Sequence, residues 1–353
     1  MRKPIEDHFE PLLIISNAIS GGGAEKSMLA LHQQLISRGI DCHLLALNQS
    51  HTEKNIINLR VLSRSWKDGF KSTFLNFVNF KKIIKEIKPK SIIVNCELAE
   101  LYVSLINHKH LRIICVEHTT FPWYKKRVLG IFVRNILRLK KSKWVTVSKD
   151  MKEIWPARNI PKYIPNPFIG EETILAQKAT NLSLVFIGGI KENKRPEWVI
   201  MAGLKNNLDV HLYGTGNLEK SLKEKYSDKS QSIKFHGYKE NVWELVPRNS
   251  LVIVPSKFEG DGMVVVEATI LGFPILLSSN ADLLKFGFQE KHYFRDLNEL
   301  MQKVSTNLMS SFSELVVKKS GQEALRIQRS VGTIADKWHE ILLDKTRNIL
   351  NDL

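Results

Sequence analysis

Residues 251–278 read LVIVPSKFEGDGMVVVEATILGFPILLS. A short apolar run, Leu251 to Pro255, meets a glycine-rich turn; a stretch of helical period begins near Met263, Gly272-Phe273-Pro274 closes it, and a second apolar run, Pro274 to Ser278, follows. Both runs are apolar at successive rather than alternate positions, which suits strands buried on both faces of a parallel sheet. Strand, helix and parallel strand in that order make one βαβ unit.

The pattern recurs along the chain. Leu12 to Ala18, Cys42 to Leu47, Ser91 to Cys96, Arg112 to His118 and Trp144 to Ser148 read as strands in the first half. Ser183 to Gly188, Asp209 to Tyr213 and Ile233 to Tyr238 join the two runs above in the second. The reading is therefore α/β, with two doubly wound domains, and a length of 353 residues accommodates both. Three prolines in Ile160-Pro161-Lys162-Tyr163-Ile164-Pro165-Asn166-Pro167 disfavour helix and mark an interdomain hinge. The expected organisation is an N-terminal domain over 1–163, a C-terminal domain over 164–330, and a last helix over 331–353 that either ends the second domain or packs back on the first. Ligands of open parallel sheets bind beyond the carboxyl ends of the strands, so an interdomain cleft is expected.

Three glycine-rich turns follow strands. Ser20-Gly21-Gly22-Gly23-Ala24-Glu25-Lys26-Ser27 lets backbone approach a ligand and places a helix N-terminus behind it, an arrangement that receives anions. Glu25 stands where a P-loop has glycine, and Lys26 where a dinucleotide fingerprint has its third glycine, which disfavours ATP and NAD. The same residues also suit a plain strand-to-helix turn. Gly188-Gly189-Ile190-Lys191-Glu192-Asn193-Lys194-Arg195-Pro196 sets three cations at a sheet mouth, where they would neutralise charge on a departing phosphate or simply face solvent. In the third turn Glu259 and Glu267 bracket Gly262, Met263 and Val264; ionised carboxylates accept several hydrogen bonds and suit sugar hydroxyls.

These motifs resemble those of the retaining nucleotide-sugar glycosyltransferases of family 4: Glu-x7-Glu at Glu259 and Glu267, a lysine at Lys194, Gly214-Thr215-Gly216 after a strand, and Phe235-His236-Gly237-Tyr238. In the first half Gly22-Gly23-Ala24-Glu25, His118 and Pro165-Asn166-Pro167 look like family positions. The resemblance implies a GT-B fold, two facing Rossmann-like domains, and metal-independent transfer of a sugar with retained configuration and no cofactor. It implies Lys194 at the donor diphosphate, Glu267 at the ribose and Glu259 at the donor sugar, with the amides of Gly262, Met263 and Val264 near the phosphates. Gly22 and Gly23 would approach donor and acceptor, His118 would lie near the reacting sugar, and Glu25 and Asn166 would stand on the acceptor side. Many relatives carry Arg where this chain has Gly189; Lys191 or Arg195 would supply that charge. The acceptor would attack the face the leaving group vacates, with Glu259 as covalent nucleophile the alternative.

Of the formal net charge of +16, residues 51–150 hold +14, from 21 basic and 7 acidic residues. Residues 123–144 contain 8 Lys/Arg and no acid; at about 100° per residue Arg127, Arg134, Arg138 and Lys141 share one side and Leu129, Phe132, Ile136 and Leu139 the other, flanked by Trp123, Tyr124 and Trp144. With the basic, aromatic segment 74–90, this predicts peripheral contact with anionic lipid, or an amphipathic helix buried on its apolar side. No apolar run approaches the roughly 20 residues that span a bilayer, the N-terminus is not a signal peptide, and Cys42, Cys96 and Cys115 are expected as reduced, buried thiols. No nucleic-acid signature accompanies the charge and no His/Cys/Asp cluster has metal-ligand spacing. The expectation is a cytoplasmic enzyme on the inner face of the cell membrane that moves a hexose or N-acetylhexosamine, with UDP favoured as carrier, to a lipid-linked or surface glycan such as lipopolysaccharide or capsule. A nucleotide-sugar epimerase and a basic nucleic-acid-binding protein are the alternatives.

Overall fold

The computed structural model describes residues 10–19, 22–48, 56–64, 70–107, 111–118, 122–123, 126–148, 161–170, 181–279 and 283–343. The expectations for Ser20, Gly21, Tyr124, Lys125, Ile160 and 344–350 lie outside them. The chain divides into two units, Met1–Ile169 with Arg329–Leu353, and Gly170–Gln328.

The first unit is built on parallel strands β1 (Leu12–Ser16), β2 (Cys42–Asn48), β3 (Leu59–Arg64), β4 (Ser91–Val94), β5 (Arg112–Glu117), β6 (Lys143–Thr146) and β7 (Lys162–Tyr163), in the order β3-β2-β1-β4-β5-β6-β7. Ile14 of β1 pairs with Leu44 of β2 on one side and Ile93 of β4 on the other. All five residues of β1 are buried, because both sheet faces are covered. Leu12 and Ile14 face one core with Met28, Leu31 and Leu35 of α1 (Gly23–Ser37). Leu13 and Ile15 face the other with Phe80 of α2 (Phe70–Ile87), Tyr102 of α3 (Glu97–Ser104), and Val133 and Leu137 of α4 (Arg127–Leu139). Cys42 and Cys115 are buried, Cys96 half-buried, and burial pushes all three thiols up, the last to about 12.

The second unit carries β8 (Ser183–Ile187), β9 (Asp209–Tyr213), β10 (Ile233–Gly237), β11 (Ser250–Val254), β12 (Ile275–Ser278) and β13 (Tyr293–Phe294), all parallel, in the order β10-β9-β8-β11-β12-β13. Its helices are α5 (Pro196–Lys205), α6 (Glu219–Lys225), α7 (Met263–Ile270), α8 (Leu297–Asn307) and α9 (Lys319–Gln328). In each sheet the order reverses beside the first strand, between β1 and β4 and between β8 and β11, and the carboxyl ends at such a reversal form the crevice where α/β folds bind ligands.

The division falls past the proline-rich stretch rather than at 163/164. Lys162 and Tyr163 pair with Val145 and Thr146 of β6, so the segment completes the first sheet. The last described helix, α10 (Val331–Leu343), also belongs to the first unit: Ile334, Trp338 and Ile341 are buried in the α1 core and Asp336 pairs with Arg38 at 2.8 Å. The two crossing segments are fastened there, the Phe168 amide donating to the Arg329 carbonyl at 2.7 Å and the Arg329 guanidinium to the Asn166 carbonyl at 2.9 Å.

Candidate active site

In the second unit the two reversal strands, β8 and β11, deliver the candidate residues. After β8, the turn at Gly188 packs on Gly214-Thr215-Gly216: the Gly188 amide donates to Tyr213 at 2.9 Å and the Ile190 amide to Thr215 at 3.0 Å. A Cβ on Gly214, whose φ is +128°, would lie 1.9 Å from the Gly188 carbonyl oxygen, so glycine is what permits this approach. A 3-10 turn, Glu192–Lys194, then ends at Arg195 in the left-handed conformation, with Pro196 opening α5. The Lys194 ammonium lies 2.6 Å from Glu259 Oε1, and Ser256 Oγ donates to the same oxygen at 2.6 Å. The Lys257 amide donates to the Asn193 carbonyl at 2.8 Å, which joins the β8 and β11 loops.

The other two cations differ. The Arg195 guanidinium sits 4.3 Å over the Trp198 ring, and burial lowers its pKa. The Lys191 stem instead lies along Gly189, where an added Cβ would meet Lys191 Cε at 3.3 Å. A side chain at 189 would require the Lys191 stem to shift by a few tenths of an ångström.

Gly262, with φ +75°, caps α7; Met263 and Val264 are its first residues, and the Val265 and Val266 amides both donate to the Gly262 carbonyl. The first-turn amides of such a helix point outward with the positive end of its dipole. One turn on, Glu267 Oε2 accepts from Trp243 Nε1 at 2.8 Å. Trp243, against Phe273 at 5.4 Å between ring centroids, escaped the sequence reading; its only signal was a large aromatic in the polar stretch Glu240 to Glu244.

In the first unit, Gly22 caps α1, Gly23 is its first residue, and the Gly22 amide donates to Glu25 Oε2 at 3.1 Å. The Glu25 carboxylate is therefore engaged in the helix cap. His118, just past β5, bonds through Nε2 to Asn95 Oδ1, and Asn95 Nδ2 lies 3.4 Å from the Ala24 carbonyl. This gathers His118 and the glycine turn at the ends of β1, β4 and β5. Asn166 is buried beyond β7 and offers its carbonyl to Arg329. Asn95 has no sequence signal beyond its place after a strand.

The cations of 123–144 do not share one solvated face: Arg127 and Arg138 are exposed and Arg134 is not. Arg134 is buried, paired with Glu117 Oε2 at 2.7 Å and Glu100 Oε1 at 3.0 Å. Burial alone would lower its pKa; the two carboxylates outweigh it and raise the value. Trp123 Nε1 donates to Glu100 at 2.7 Å, and Trp123 and Trp144 are both buried rather than flanking an interface. The buried side of α4 is Gly130, Val133, Arg134 and Leu137, while Val128, Phe132 and Leu139 are 84%, 63% and 83% exposed. Ile131 and, on α2, Phe74 and Leu75 are exposed as well. Among the described residues no helix is long and apolar enough to cross a membrane.

The description Glycosyltransferase Family 4 matches residues 21–168, and Glycosyl transferases group 1 matches 181–308. An "Uncharacterized glycosyltransferase" of Haemophilus influenzae is 23% identical over 354 residues, covering 93% of this chain and 98% of that one. Among solved structures, Anabaena Alr3699/HepE in complex with UDP and glucose superposes with a TM-score of 0.78 at 16% identity, over 95% of this chain and 100% of that one. The sucrose-phosphate synthase of Thermosynechococcus elongatus gives 0.76 at 15% identity, over 94% and 98%. The lipopolysaccharide outer core galactosyltransferase WaaB gives 0.66 at 16%, over 95% and 99%. The two parallel-sheet units therefore make a GT-B fold, and the chain belongs to the glycosyltransferases as a GT4-type member.

Proposed function

We propose that the protein moves a hexose or N-acetylhexosamine, with retention of configuration, from a UDP-sugar to a lipid-linked or surface-glycan acceptor of the lipopolysaccharide or capsule kind. The observation that carries this reading is the Lys194–Glu259 pair, 2.6 Å apart at the ends of the two reversal strands. Lys194, with the first-turn amides of Met263 and Val264, supplies positive charge for a departing nucleoside diphosphate, so that leaving-group stabilisation comes from the protein without a metal. Lys191, alongside Gly189, adds a second cation. Glu267, fixed by Trp243, accepts from ribose hydroxyls, and Glu259 accepts from the donor sugar. The acceptor hydroxyl attacks the vacated face and the leaving phosphate takes its proton. A UDP complex of HepE and the lipopolysaccharide role in WaaB's name favour this donor and this acceptor class.

The same proposal places the protein on the inner face of the cell membrane. Exposed Val128, Ile131, Phe132 and Leu139 alternate with exposed Arg127 and Arg138 on α4, a combination that suits the boundary between anionic headgroups and acyl chains.

The test is a thermal-shift screen across UDP- and GDP-sugars, followed by assay of donor hydrolysis and of acceptor elongation. A UDP-sugar should raise the melting temperature and donate its sugar with retention. An inverted product, or release of a free epimer without an acceptor, would overturn the reading.

A further inference from the structure

The ends of β1, β4 and β5 in the first unit each carry a polar side chain: Ser16, Asn95 and His118. Asn95 is buried, 6% exposed, and its backbone amide is spent on the Ile15 carbonyl at 3.0 Å. Its side chain faces three groups. Nδ2 lies 3.4 Å from the Ala24 carbonyl oxygen and 3.4 Å from Ser16 Oγ, and Oδ1 meets His118 Nε2. A backbone carbonyl only accepts, so the amide nitrogen must face Ala24 and the amide oxygen must face the imidazole. That oxygen has no hydrogen to give, so the hydrogen in the bond belongs to His118 Nε2.

We propose that Asn95 is a positioning residue that locks His118 with its hydrogen on Nε2 and ties the ring to the Gly22–Gly23 turn through the Ala24 carbonyl. In its neutral form the locked imidazole carries its accepting lone pair on Nδ1, because the two ring nitrogens of neutral histidine divide donor and acceptor between them. Such a nitrogen takes a hydrogen bond from a hydroxyl and repels a phosphate oxygen. His118 is thereby suited to a sugar hydroxyl and unsuited to the diphosphate. The catalytic consequence rests on the proposed placement of His118 by the reacting sugar; the lock does not.

The experiment is nitrogen-edited NMR of the imidazole rings in the full chain at neutral pH, with His118 assigned by loss of its signals in His118→Gln. Wild type should show a slowly exchanging Nε2 hydrogen and, while the ring is neutral, no hydrogen on Nδ1. Asn95→Asp, which keeps an accepting oxygen, should retain the protected Nε2 hydrogen. Asn95→Ala should lose the protected Nε2 hydrogen, and transfer should slow by up to about 100-fold with little change in donor KM, as expected for a misplaced group. A neutral ring with its hydrogen on Nδ1 in wild type, or an Nε2 hydrogen equally protected in Asn95→Ala, would overturn the proposal. If Asn95→Ala does not fold, wild type and Asn95→Asp still decide it. The expected NMR pattern in a protein where His118→Gln transfers sugar at full rate would support the lock and remove His118 from the proposed site.

Discussion

The ammonium of Lys194 and the carboxylate of Glu259, carried by the two strands beside which the second sheet reverses its order, form a half-buried ion pair 2.6 Å long. A diphosphate that engages Lys194 must draw it from this carboxylate. Lys194→Ala is expected to slow transfer by about 100-fold or more, the scale seen when one preorganised charge-stabilising group is removed. Glu259→Gln is expected to slow transfer too, yet to bind UDP several-fold more tightly, since the competing charge is gone. Calorimetric titration of both variants with UDP checks this, and weaker binding by Glu259→Gln would contradict it.

Trp243 Nε1 donates a hydrogen bond of 2.8 Å to Glu267. A hydrogen bond to a charged group is worth about 1.5–3 kcal/mol, and each 1.4 kcal/mol is tenfold in affinity. Trp243→Phe, which keeps an aromatic ring against Phe273, should therefore weaken UDP binding about tenfold. In a double-mutant cycle its effect and that of Glu267→Gln should be strongly non-additive; simple additivity would separate the two residues.

Phe132 and Leu139 are exposed on α4. Phe132→Ser with Leu139→Ser should leave the melting temperature unchanged while abolishing co-sedimentation with anionic vesicles, and raised salt should weaken the wild-type interaction. Full retention of vesicle binding by the double variant would move the contact elsewhere.

Arg134 neutralises two buried carboxylates, Glu100 and Glu117. Arg134→Met strands both charges and should cost about 3–5 kcal/mol of stability, read as a large drop in denaturant midpoint. A loss below about 1 kcal/mol would mean that the carboxylates find other partners.

Burial holds His32 and His211 at about 4, and His236, bonded to His211 at 3.0 Å, is lowered as well. A lowered histidine takes up its proton more readily in the unfolded chain than in the folded one. The stability it contributes is thus complete above its ordinary value of 6.5 and falls as pH drops from there toward 4. The melting temperature should decline over that window, and His32→Leu with His211→Phe should flatten the decline.

Much of the fold was legible because burial on both faces leaves a continuous apolar mark: β1 and β11 are buried at every position and were found within a residue or two of their ends. The edge strand β3 was missed because Arg60, Ser63 and Arg64 interrupt its apolar run, and β7 and β13, two residues each, are too short to carry a period. The helical wheel of α4 treated four cations alike, whereas Arg134 is separated from the others by Glu100 and Glu117, which come from other elements. The motifs named Lys194 and Glu259 separately; their pairing follows from the β8 and β11 loops that folding joins. Trp243 and Asn95 were not implied at all, since each acts only through a neighbour that folding supplies.

The fastening of Phe168 to Arg329 has an architectural consequence. Because the chain leaves and re-enters the first unit at neighbouring backbone atoms, 2.7 Å apart, the second unit is one uninterrupted insert between residues 169 and 329. Exchanging the second unit for that of another glycosyltransferase requires grafting a single contiguous gene segment at two adjacent seams.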